Sequence, residues 1–123
     1  MATRLGIPPN PWDGALVRTW LECRIEAARR DQVVADKQGY SAQDDYDKAA
    51  AEEWACRALK AVADKDGQAA FADRLKTLLG QDEYLVTGIY DDRRFERYVR
   101  ANLRKITKMA KANAGFENTL RYQ

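Results

Sequence analysis

Apolar residues recur in the first third of the chain at Trp12, Leu16, Trp20, Cys23, Ala27 and Val34, with Val17, Leu21 and Ala28 in a second row beside them. Steps of three, four and seven residues place such positions on one side of a helix. The two rows predict a first helix over about 11–38, with an apolar arc wide enough to touch two neighbours. Asn10 is read as its N-cap, Pro11 as its first helical residue and Gly39 as its stop. Ahead of it, Pro8 and Pro9 fix φ and remove backbone donors, which predicts an extended arm over residues 1–10. Arg18 with Glu22, and Glu26 with Arg30, fall at i,i+4 on the wetter face.

A second helix is expected over 42–64, carried by Tyr46, Ala50, Ala51, Trp54, Ala55, Ala58, Leu59 and Val62. Ser41 is its expected cap, with Asp44 three residues later, and Asp44, Asp45 and Asp47 lie where a helix dipole favours negative charge. The short Gly39–Tyr40 connection predicts that the first two helices form an antiparallel αα-hairpin. A third helix over 67–79 carries Phe71, Leu75, Leu78 and Leu79 and ends at Gly80. Residues 81–90 hold β-branched and aromatic side chains in a short run, but a lone strand has no partner, so they are read as a loop or a single helical turn. A fourth helix follows over 92–113, capped by Asp91 or Asp92, with Gly115 ending it and a tail at 116–123. The expected fold is all-α, a four-helix single domain of 123 residues built on a long N-terminal αα-hairpin, with an arm and a tail.

Composition narrows the chemistry. Twenty alanines stand against twenty-eight large apolar side chains, which predicts close, alanine-mediated helix packing. The chain has no histidine, and so lacks the commonest metal ligand and the commonest general base near neutral pH. Cys23 and Cys56 sit nearly level on the expected hairpin. Cys56 points away from the Trp54–Ala58–Val62 face, so two reduced thiols are expected rather than a bridge. The carboxylates Asp44, Asp45, Asp47, Glu52 and Glu53 match capping and helix surface, not a calcium loop, and there is no phosphate-binding glycine loop. These readings predict a protein that is not an enzyme and uses neither metal nor cofactor. No apolar run is long enough to span a membrane, and residues 1–12 lack the pattern of a signal peptide, so a cytoplasmic location is expected.

The fourth helix changes the picture. At 100° per residue, Arg93, Arg97, Arg100, Arg104, Lys108 and Lys111 gather about one line, opposite Phe95, Val99, Leu103, Ile106, Met109 and Ala110. Residues 87–123 hold nine basic and four acidic side chains, whereas residues 1–86 hold twelve and fifteen, so the net charge of +2 conceals a polarised molecule. Such a stripe can follow a phosphate backbone, with Tyr90, Tyr98 and Tyr122 as candidate stacking surfaces. The plainer reading is a solvated polar face paired internally to the acidic first turns of the second helix.

The leading expectation is a small binding protein whose basic helix docks on nucleic acid or a nucleoprotein complex. The alternative is a protein–protein adaptor or inhibitor, of the kind common among phage and mobile-element accessory proteins, that binds an acidic protein surface or another partner. Trp12, Phe116 and Tyr122 are its candidate contacts, and exchange of arm or tail is a route to homo-oligomers. Trp20 and Trp54 are expected in the core.

Overall fold

The computed structural model describes residues 12–63, 67–81 and 92–112; the expected arm, the segment 82–91 and the tail with Phe116 and Tyr122 lie outside them. Along the chain come α1 (Gly14–Gln38), a 3-10 turn (Gly39–Ala42), α2 (Gln43–Lys60), α3 (Gly67–Leu79) and α4 (Asp92–Ala112). Among the described residues there is no strand, and the all-α expectation holds.

Three helix ends differ from expectation, each for a local reason. Trp12 and Asp13 are not helical, so Asn10 and Pro11 do not open α1. Asp13 caps it instead, its Oδ1 accepting from the Leu16 N–H at 3.0 Å, where a carboxylate also faces the positive end of the helix. Ser41 does not cap α2, because residues 39–42 wind into the 3-10 turn and the Ser41 hydroxyl donates to the Gln38 carbonyl at 3.3 Å. Ala42 takes the cap position without a side-chain bond. The expected run of α2 to residue 64 stops at Lys60, where bonds from Val62 N–H to the Leu59 carbonyl and from Ala63 N–H to the Lys60 carbonyl tighten the chain into a turn. Gly39 does end α1, with φ of 77°, a left-handed value that favours glycine.

α1 and α2 run antiparallel. Lys60 pairs with Glu22 at 3.3 Å and Arg29 with Glu53 at 4.0 Å, so later positions on one helix meet earlier positions on the other. Arg24 adds a two-pronged contact to Glu52 at 2.9 and 3.0 Å. Ala28 of α1 and Ala51 and Ala55 of α2 are fully buried, and small side chains at such positions let helix backbones approach. α4 packs on α2, and α3 packs chiefly on α4. One core, with Trp20, Leu21, Leu59, Phe71, Val99 and Leu103 among its buried members, joins all these helices.

α1 buries Val17, Trp20, Leu21, Ile25, Ala28 and Ala35, so the predicted second row faces inward, while the first row keeps Trp20 inside and leaves Cys23 and Val34 exposed. On α2 the buried row is Ala51, Ala55, Cys56 and Leu59, while Trp54, Ala58 and Val62 pack only at its margin. Cys56 therefore points away from the Trp54–Ala58–Val62 face, as expected, and that direction is the core. Both cysteines are free, and burial pushes the Cys56 thiol up to about 12.

Two outcomes follow from this packing. In the native protein a thiol-specific reagent should titrate Cys23 at once and Cys56 only after denaturant is added. Ala55→Leu should overfill the core around this fully buried position and lower stability by about 1–3 kcal/mol in urea unfolding.

Candidate nucleic-acid interface

α4 owes its orientation to two opposed patterns. Phe95, Val99, Leu103, Ile106 and Ala110 recur at helical spacing and are all buried. Residues 93–112 also carry eight Lys and Arg against a single acid, Glu96. Burying the apolar row turns the opposite side of the helix to solvent, and Arg93, Arg97, Arg104, Lys108 and Lys111 are exposed there. Lys105, off the predicted line, is exposed as well.

Arg94 behaves differently from its neighbours. Its guanidinium turns toward α2 and holds Asp47 through Nε at 2.9 Å and Nη2 at 2.6 Å, both on Oδ2. Asp47 is fully buried, and Gln43 Nε2 donates to its other oxygen at 3.0 Å. Alongside, the Tyr98 hydroxyl donates to Asp44 Oδ1, Lys48 pairs with Asp44 at 3.3 Å, and the Lys48 ammonium stands 5.6 Å from the Tyr98 ring centre. The Tyr98 hydrogen bond, with Lys48 and Arg94 nearby, holds the Asp44 carboxyl below the usual carboxylate range. The same bond raises the Tyr98 hydroxyl above its ordinary value. The acidic first turns of α2 are thus paired to α4, as the plainer reading expects, but through Arg94 and Tyr98 rather than through the stripe.

Among the described residues, Arg100 is the one member of the predicted stripe with internal partners. It donates from Nη1 to the Leu79 carbonyl at 2.7 Å and from Nη2 to the Gln81 carbonyl at 2.6 Å, tying the end of α3 to α4. Those carbonyls end a helix, where cationic donors are favoured. Arg93, Arg97, Arg104, Lys108 and Lys111 form no ion pair with any described residue. From Arg93 to Lys111 the row is about 27 Å long at 1.5 Å per residue.

Two depressions flank this row. Toward α1 and α2 lies a cleft of about 510 Å³ whose lining includes Asp31, Asp45, Glu52 and the α4 residues Tyr98, Ala101 and Asn102. Toward α3 lies a groove of about 420 Å³, with Ala72, Leu75, Leu79 and Ala110 as its apolar lining and Lys76 and Lys111 among its polar residues. Trp12, a predicted partner contact, is half-buried, and its ring centre is 5.2 Å from that of Phe71. Among the described residues no group of three His, Cys, Asp or Glu side chains could hold a metal ion, and no helix is long and apolar enough to cross a membrane.

Sequence reasoning missed Arg94 and Asp47. The signal was present: Arg94 lies 100° round the helix from Arg93, between the outward line and the core. Compared with family models, curated proteins and solved structures, the chain matches none.

Replacing Arg94 by Met strands the Asp47 carboxylate in the core and should cost about 3 kcal/mol in urea unfolding. The double variant Arg94→Met/Asp47→Leu should recover at least half of that loss. Asp44 and Glu53 set the acid limb of stability. Burial acts to raise Glu53, but hydrogen bonds from Gln32 and Arg57 outweigh it and hold this carboxyl low. A carboxyl lowered on folding stabilises the fold above its unfolded pKa, and that contribution is lost as pH falls through the folded value. The thermal midpoint should therefore hold steady near neutrality and drop below about pH 4.

Proposed function

We propose that this chain is a non-enzymatic nucleic-acid-binding module, a four-helix domain that presents α4 to phosphates on free nucleic acid or within a nucleoprotein complex. The observation that carries this reading is the set of outward cations on α4 with no ion pair to a described residue. A basic row meant only for solubility would gain from interspersed carboxylates, and Glu96 is the one acid between residues 93 and 112. Arginine at positions 93, 97 and 104 suits a phosphate, which it can grip through two N–H groups.

A second reading, a protein–protein adaptor or inhibitor, has its own support at the hairpin tip. Among the described residues the exposed large apolar side chains are Val33, Val34 and Tyr40, the last 94% exposed, and all three lie near that end. On this reading the partner is held by the tip, while the row on α4 meets an acidic protein surface.

The paired substitution Arg97→Glu/Arg104→Glu separates the two. It should abolish binding of labelled DNA and RNA in fluorescence anisotropy while leaving the helical circular-dichroism signal intact. Undiminished affinity in this variant would remove α4 from the assignment. Absence of binding by the wild-type chain at low salt would leave the adaptor reading.

A further inference from the structure

Resting on the nucleic-acid reading, we infer that the α4 face is a track for the phosphate backbone of a duplex that does not read base sequence, and that it extends onto α3 through Lys76. Three features carry this. First, α4 is flanked on both sides, by α2 through Arg94 and Tyr98 and by α3 through Arg100. A helix that reads the major groove enters it and brings side chains to base edges on a protruding surface. Here both shoulders of the helix are occupied, and the five cations of the outward row span only about 60° of arc, with Lys105 about 60° further round toward α2. They can reach a backbone lying across the helix face, and phosphate contacts of that kind position a duplex without discriminating its sequence.

Second, among the described residues the face carries none of the aromatic platforms that single strands need. The aromatic residues on α4 are Phe95, which is buried, and Tyr98, which is half-buried and engaged with Asp44. With no free stacking surface on α4 itself, a straight, stiff row of charge favours the stiff partner, a duplex.

Third, the two flanks differ in sign. The α1–α2 side of α4 opens on the cleft with Asp31 and Asp45, both exposed and without an ion pair to a described residue, while Lys48 in the same lining is paired with Asp44. These carboxylates repel phosphate and close the track on that side. On the opposite side Lys76 and Lys111 line one groove, so the positive surface continues from α4 onto α3. The duplex therefore lies over α4 and toward α3, and Lys76 joins the five outward cations of α4.

Anisotropy titrations with two unrelated duplexes of about 20 base pairs, and with one of their strands alone, test this across about 50–200 mM salt. The two duplexes should bind within about threefold of each other, and both should bind more tightly than the single strand. Six cations imply a slope of log K against log salt of about −5, and Lys76→Glu should reduce it by about one. Asp31→Asn/Asp45→Asn should tighten duplex binding by about threefold at low salt, a gain that a misfolded variant would not give. Arg100→Ala should lower the thermal midpoint and leave the slope unchanged. A tenfold preference for one duplex, stronger binding of the single strand, or wild-type behaviour from both the Lys76 and the Asp31/Asp45 variants would overturn the track while leaving nucleic-acid binding in place. No binding of either duplex would overturn the functional reading itself, and the track with it.

Discussion

The contact on which the arrangement of α4 depends is the ion pair between the buried Asp47 and the partly exposed Arg94. α2 and α4 run in the same general sense, since Asp47 meets Arg94 near one end and Lys105 acts on Cys56 further along. Their positive N-terminal ends therefore lie close together, and Arg93 and Arg94 add charge of the same sign. Left alone, that end of the molecule would repel itself. Asp47 and Asp44 reverse the balance by placing carboxylates between the two helix starts, with Gln43, Tyr98 and Lys48 satisfying their remaining oxygens. A charge buried as completely as Asp47 is tolerated only when its partners are in place, so the pair also fixes how α4 is rotated.

That rotation decides which cations face outward. Arg94 and Arg100 face sideways into α2 and α3, and the cations between and beyond them face solvent. The apolar row from Phe95 to Ala110 would allow α4 some freedom to roll, because dispersion contacts are not directional. The two arginines, each holding defined acceptors, remove that freedom.

The parts of this architecture set by local periodicity were legible in the sequence. The apolar row of α4, the opposed cations and the extent of α3 follow from spacing alone. What escaped the reading depends on partners far along the chain or on a competing local bond. Asp47 looks like one more acid in a helix start until α4, 47 residues away, is placed against it. Trp54, expected in the core, packs at its margin while Cys56 on the other side of α2 is buried, because α1 and α4 both pack on α2 and no single-helix projection shows which arc two neighbours will cover. Ser41 has the composition of a cap, but the 3-10 turn offers its hydroxyl the Gln38 carbonyl first. The basic face was legible as a stripe, though its two ends of meaning, structural at Arg100 and outward at Arg97, were not separable without α3.

The separation of inward from outward arginines bears on how such a chain can change over generations. Substitutions at Arg93, Arg97, Arg104, Lys108 or Lys111 alter surface potential without disturbing an ion pair to any described residue. Drift at these sites is therefore uncoupled from folding, and a lineage could reverse the sign of the face one residue at a time without passing through an unfolded ancestor. At Arg94 the same step would meet a stability barrier. The molecule thus holds a heritable scaffold and an adjustable surface on one helix, within three residues of each other.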